Sequence, residues 1–213
     1  MQPRAVFFDA ANTLLDKPQL IPAMAGALLV HGLELPETEL ARRHRWLSEV
    51  ITFPDTTSRE FYAEFNATLL RSFGISPAPA LLEAIFDACS YLPWAAFPDT
   101  ATLARIGLPR GVLSNWDSSL PDKLALIAGV TFDWVLGSDQ QGVRKPNPEF
   151  FRRAIDATGL AADEIVFVGD SLRLDIEPAL SLGMSAYLID RDGLYPQASV
   201  PRVASLDELA DLL

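Results

Sequence analysis

Ala5-Val6-Phe7-Phe8-Asp9-Ala10-Ala11-Asn12-Thr13 sets four apolar residues directly ahead of a carboxylate, with an amide and a hydroxyl close behind. A buried strand running out into a polar loop has this pattern. In open α/β sheets ligands collect in the crevice beyond the strand carboxyl ends, so Asp9 stands where chemistry is done. An Asp closing a strand is also an ordinary turn residue that bonds its own backbone. The rest of the chain has to choose between the two roles.

After Asp16 the apolar pattern changes from period 2 to period 3.6, which predicts several consecutive helices. The first is expected over 19–31, stopping at Gly32, and the second over 37–51 with Leu40, Leu47 and Val50/Ile51 on one face. A third opens at Thr57, where Thr57 and Glu60 have capping-box spacing, carries Phe61, Phe65, Leu69 and Phe73 as its stripe, and ends at Gly74. A fourth covers 80–90. Prolines 77, 79, 93 and 98 then punctuate the chain, and strands begin to alternate with helices. The strands are expected at Gly111–Ser114, Trp134–Gly137, Ile165–Val168 and Ala186–Ile189, and the helices at 119–128, 147–158, 173–182 and from Leu206. That alternation implies βαβ units, hence a parallel sheet covered on both faces. The fold class is therefore α/β: a Rossmann-like parallel sheet core, 1–16 with 95–213, and an inserted all-α helical cap, 17–94, expected to act as a lid over the first strand's carboxyl end.

With 213 residues, 49% hydrophobic and 21% charged, the chain has the composition of a folded protein with a sizeable core. Its formal net charge of −11 opposes binding to nucleic acid and to anionic membranes, so a small anionic substrate has to be held by local cations. Only three lysines exist, Lys17, Lys123 and Lys145. One cysteine, Cys89, rules out an internal disulfide and a cysteine metal cluster. The longest apolar stretch, near Leu20 to Leu33, is too short to cross a bilayer, and no secretory signal is visible, so the cytoplasm is the expected location. Oligomeric state is not legible.

Three further polar clusters fall just past predicted strands. Ser114-Asn115 offers a hydroxyl and an amide to an oxyanion or phosphoryl oxygen, although the pair is also common in turns. Lys145-Pro146-Asn147-Pro148 precedes a helix, with Pro146 stiffening the turn that presents Lys145. Gly169-Asp170-Ser171, with Asp175 beyond, follows the very apolar strand Ile165–Val168. Together with Asp9 these acids supply hard oxygen donors of the kind Mg²⁺ takes. The basic run Arg42-Arg43-His44-Arg45-Trp46 offers charge to the crevice from the second cap helix or forms a solvated helix face, the second being favoured since consecutive residues point different ways around a helix.

Asp-x-x-x-Thr, Ser-Asn, Lys-Pro and Gly-Asp-x-x-x-x-Asp, in this order and with a helical insertion after the first, resemble the haloacid dehalogenase superfamily across essentially the whole chain. The position of the insertion resembles the C1-type cap of its subfamily IA. The resemblance implies that Asp9 is a nucleophile that becomes an aspartyl phosphate, and that Thr13, Ser114, Asn115 and Lys145 hold the phosphoryl group. It also implies Mg²⁺ held by Asp9, the main-chain carbonyl of Ala11 and Asp170, with Asp175 in support.

The chain departs from that pattern at Ala11. Family phosphatases resemble Asp-x-Asp, the second Asp protonating the leaving group and later activating water, help worth about 100- to 10,000-fold in rate. Three expectations follow. One is a Mg²⁺-dependent phosphatase of a small phosphorylated metabolite, slow or selective for leaving groups that need no proton, such as acyl phosphates. Another is a metal-free 2-haloacid dehalogenase, since halide leaves unprotonated, but Asp170 and Asp175 count against it. A phosphonatase-like enzyme would need a cap lysine, which the segment from Pro18 to Trp94 lacks. The last is a relic that binds phosphate or protein without turnover.

Overall fold

The computed structural model describes residues 2–54 and 56–213. Ala5–Phe8 forms β1, buried at all four positions. β2 (Leu15–Asp16) and β3 (Ala95–Ala96) pair antiparallel as a short ribbon, with Asp16 opposite Ala95. β4 (Arg110–Ser114), β5 (Trp134–Gly137), β6 (Ile165–Gly169), β7 (Ser185–Ile189) and β8 (Arg202–Val203) join β1 in a parallel sheet of order β5-β4-β1-β6-β7-β8. β1 lies between β4 and β6, so the residues that follow these three strands emerge side by side. Strands buried on both faces need apolar residues throughout, which is why Ile165–Gly169 is one continuous run.

The chain divides into two compact units, Met1–Asp16 with Ala95–Leu213, and Lys17–Trp94. The second unit consists of α1 (Leu20–Val30), α2 (Glu37–Val50), α3 (Arg59–Ser72) and α4 (Pro79–Cys89) around Met24, Leu28, Leu40, Leu69, Leu81 and Ile85. Ser58 caps α3, accepting from the Phe61 amide at 3.3 Å, where the Thr57/Glu60 spacing predicts Thr57. The Ser58 hydroxyl also reaches Glu60, so the polar start of the helix lies one residue later.

In the first unit the sheet is flanked by α5 (Leu120–Leu124), α6 (Ser138–Gln141), α7 (Pro148–Thr158), α8 (Glu177–Ser181) and α9 (Leu206–Ala210), with a 3-10 segment at Pro98–Arg105. α7 packs Phe150 and Phe151 against Phe7, Leu113 and Phe167. α5 is shorter than the 119–128 pattern predicts, because Leu126 and Ile127 donate three residues back, to Lys123 and Leu124, and the chain turns away at left-handed Gly129. The 173–182 pattern also splits. Leu172–Ile176 is a π turn, and only then does α8 begin.

One close approach crosses three strands. Phe7, Gly111 and Trp134 are register partners on β1, β4 and β5, and the Phe7 ring passes over Gly111 to stack on Trp134 at 5.6 Å. A Cβ on Gly111 would lie 2.3 Å from the Phe7 Cε1 atom, so only glycine leaves the ring its place. Among the described residues no helix is long and apolar enough to cross a membrane.

Candidate active site

Asp9 directly follows β1, and its amide donates to the Val168 carbonyl at 2.8 Å, extending the pairing with β6 by one residue. Its carboxylate is nearly buried, at 5% exposure for the residue. Ser114, the last residue of β4, donates from Oγ to Asp9 Oδ1 at 3.0 Å. Lys145 donates to the same oxygen at 2.5 Å and to Asp175 Oδ1 at 2.6 Å, both carboxylates being buried with it. The strand order thus turns residues distant in sequence into immediate neighbours.

Asn115 holds Lys145 by its backbone. Its Oδ1 accepts the Lys145 amide at 2.8 Å and its Nδ2 donates to the Lys145 carbonyl at 3.0 Å. The peptide bond after Lys145, to Pro146, is cis. With both ends of its amide group engaged in this clamp, Asn115 meets the cluster through Lys145 and not through Asp9.

Asp175 is turned inward by the π turn. The Ser171 carbonyl accepts from both the Asp175 amide at 3.1 Å and the Ile176 amide at 3.2 Å, while the Ser171 hydroxyl caps the Leu174 amide at 2.9 Å. The widened turn packs the Asp175 carboxyl against Gly169, where a Cβ would lie 2.4 Å from the carboxyl carbon. Its Oδ2 accepts the Ser171 amide at 3.1 Å. Asp9, Asp170 and Asp175 each bring a carboxylate oxygen within 4.8 Å of the others.

The electrostatics follow from burial. Desolvation alone pushes Lys145 down, but the Asp175 and Asp9 carboxylates against it outweigh that and hold the ammonium above the ordinary lysine range. Burial pushes the Asp175 carboxyl up, to about 8, with Lys145 opposing and the negative charges of Asp9 and Asp170 reinforcing it. Asp9, Asp170 and Asp175 set three carboxyl groups against one ammonium, an excess of acidic oxygen. A cation opposes that excess and would draw the Asp175 proton off, and all-oxygen donors suit a hard divalent ion.

The bend after Asp9 is tightly made. The Ala10 carbonyl accepts from the Leu14 and Leu15 amides at 2.9 and 2.8 Å, and Asn12 adopts a left-handed φ of 58°. Ala11 lies on this bend, partly exposed. Thr13 is fully buried, and its hydroxyl has no hydrogen-bond partner among the described residues. The structure therefore gathers Asp9, Ser114, Lys145, Asp170 and Asp175, attaches Asn115 through Lys145, and leaves the Thr13 hydroxyl unbonded to any of them.

Two residues contribute in ways the sequence motifs do not assign. Ser171 shapes the turn that aims Asp175. Arg191, just past β7, donates from Nη2 to the Thr13 carbonyl at 2.9 Å while its guanidinium grips Asp99 at 2.6 and 3.1 Å. Its position beyond a strand end is the same signal that singles out Asp9, Ser114 and Asp170, but within Asp190-Arg191-Asp192-Gly193 it reads as a turn.

A sequence model described as haloacid dehalogenase-like hydrolase matches residues 3–183. The human haloacid dehalogenase-like hydrolase domain-containing protein 3 is 28% identical over 100% of this chain and 93% of its own length. Glyceraldehyde 3-phosphate phosphatase of Methanopyrus kandleri is 30% identical over 88% of this chain and 84% of its own length. Among solved structures, a defluorinating L-2-haloacid dehalogenase is similar at a TM-score of 0.62 and 26% identity, covering 99% of this chain and 95% of that one.

Proposed function

The chain belongs to the haloacid dehalogenase-like hydrolases, and on that premise we propose that it is a Mg²⁺-dependent phosphatase of a small phosphorylated metabolite, with Asp9 as nucleophile. The observation that carries this reading is the acidic cluster of Asp9, Asp170 and Asp175 around a single buried ammonium, Lys145. Displacement of halide from carbon does not call for a cation site of that kind, whereas a phosphoryl group brings charge that does. The phosphatase among the relatives supports the same direction.

In this mechanism a carboxylate oxygen of Asp9 attacks phosphorus, the bond to the leaving oxygen breaks, and an aspartyl phosphate results; water then attacks phosphorus, releasing inorganic phosphate and restoring the carboxylate. Ser114 Oγ donates to a phosphoryl oxygen, and Lys145 neutralises charge that builds on the others. Asn115 keeps the ammonium in place by fixing the Lys145 backbone. Asp9, the Ala11 carbonyl and Asp170 would hold Mg²⁺, with Asp175 in support; the ion supplies further charge neutralisation and orientation at phosphorus. Ala11 has no proton to give, so substrates whose leaving group departs unprotonated are favoured, acyl phosphates above all.

A second reading draws on the same Ala11 and on the similar dehalogenase structure: hydrolysis of a 2-haloacid without metal. The deciding experiment screens acetyl phosphate, a set of phosphomonoesters and 2-chloropropionate, each with Mg²⁺ and with chelator, on the wild type and on Asp9→Asn. The expected result is Mg²⁺-dependent release of phosphate, fastest with acetyl phosphate, lost in Asp9→Asn. Chloride release that persists in chelator would replace the phosphatase with the dehalogenase.

A further inference from the structure

We propose that Arg191 is a positioning residue for the loop carrying Asp9, acting through the Thr13 main-chain carbonyl and held in place by Asp99. This deepens the proposed phosphatase chemistry and rests on Asp9 being its nucleophile.

The loop from Ala10 to Leu15 curls on its own hydrogen bonds, and its next support comes from outside. Arg191 Nη2 donates to the Thr13 carbonyl at 2.9 Å, and one residue further the Phe97 amide donates to the Leu14 carbonyl at 3.0 Å. The guanidinium lies on the Phe97 ring, 4.0 Å from its centroid, so the same short stretch meets the loop once by its amide and once through the arginine stacked on it. Asp99 fixes the rotation of the guanidinium with contacts at 2.6 and 3.1 Å to Nη1 and Nη2, and its Oδ2 also accepts the Leu206 amide at 2.9 Å. The pair is largely buried, with side-chain exposures of 15% and 12%. A planar fork that bonds a carboxylate, reaches a carbonyl and stacks on a ring in one orientation is a use lysine cannot reproduce.

The side-chain hydrogen bonds of Arg191 and Asp99 go to each other, to Thr13 and to Leu206, and not to Asp9 or Asp175. Arg191 acts on the far end of the bend that begins at Asp9 and contains the Ala11 carbonyl. Without it the Thr13–Leu14 peptide is held on one side alone, by the Leu14 amide on Ala10, and the bend loosens towards Asp9. Small misplacements of a reacting group are costly, about 100-fold for 1 Å.

The test uses the full chain as wild type, Arg191→Met, Arg191→Lys and Asp99→Asn, at a temperature where thermal unfolding shows each to be folded. Hydrogen exchange of the Leu14 and Leu15 amides, which bond the Ala10 carbonyl, reports the loop. Steady-state hydrolysis of acetyl phosphate with Mg²⁺ reports the chemistry. The expected result is faster exchange at those amides in Arg191→Met and a kcat lowered about 10- to 100-fold with KM unchanged. Asp99→Asn should move the same way by less, and Arg191→Lys should recover part of the loss. Unaltered exchange and kcat in a folded Arg191→Met would overturn the proposal, as would a loss confined to KM. If the wild type hydrolyses no phosphate compound, the phosphatase reading falls by itself. The brace is then judged on exchange alone, where protection equal to wild type in Arg191→Met refutes it and lost protection sustains it.

Discussion

At Ala11 a methyl group stands on the bend where the family's phosphatases, by their Asp-x-Asp pattern, have a carboxyl. The bend is held by main-chain bonds of its neighbours, so a longer side chain at 11 does not have to break any of them. Ala11→Asp should therefore fold and should raise kcat on alkyl phosphomonoesters towards the about 100- to 10,000-fold that acid–base help can give. Acetyl phosphate, whose leaving group needs no proton, should gain less, only through activation of the water that both substrates share. Parallel rate measurements on the two substrates check this, and an equal gain on both would show that the carboxyl works otherwise than as an acid. Gly169 shows the opposite constraint at the same scale: Asp175 fills the space a side chain there would need.

At the scale of elements, the stacked Phe7 and Trp134 rings span β4 only because Gly111 has no side chain. Gly111→Val should lower unfolding free energy by about 1–3 kcal/mol through overpacking. Phe7→Leu in the same chain should return part of that loss, a coupling that denaturant unfolding of the single and double variants measures. The core strands were legible because a strand buried on both faces has to be apolar throughout, and their ends give the site because polar residues there have nowhere else to point. Two-residue strands such as β2 and β3 carry no period to read. The π turn was illegible for a different reason: it depends on the Ser171 carbonyl accepting two amides, a choice made in three dimensions. Asn115 illustrates the same limit. Ser-Asn suggests a pair of phosphate donors, and the nearness of residues 115 and 145, which no spacing encodes, adds a clamp on the Lys145 backbone that the motif does not reveal.

At the scale of the whole molecule, stability should depend on pH through His44 in the helical unit. Within the run expected to form a solvated face, His44 turns inward, half-buried, and its ring meets Phe65 edge-on at 5.0 Å. Burial, with the Arg45 charge adding to it, pushes the imidazole from its ordinary 6.5 down to about 4. Above the ordinary value the ring is neutral folded or unfolded, and its burial carries no penalty. Between there and about 4 the unfolded chain takes up a proton that the folded chain refuses, so stability falls as pH falls. The expected loss is on the order of 2 kcal/mol. Denaturant unfolding of wild type and His44→Phe across this range isolates it, since the variant keeps the ring contact and should lose that part of the slope. Parallel slopes would assign the acid sensitivity to other groups.

Asp16 and Ala95 face each other across the antiparallel ribbon, so the chain departs for its helical excursion and comes home at almost the same point. A turn of about two residues ordinarily closes such a gap. The insertion is thus a replaceable cassette: it can lengthen, shrink or be exchanged in evolution or by design without pulling on the sheet. Asp9, Ser114, Lys145, Asp170 and Asp175 all lie in the remainder, so exchanging the helical unit removes none of them.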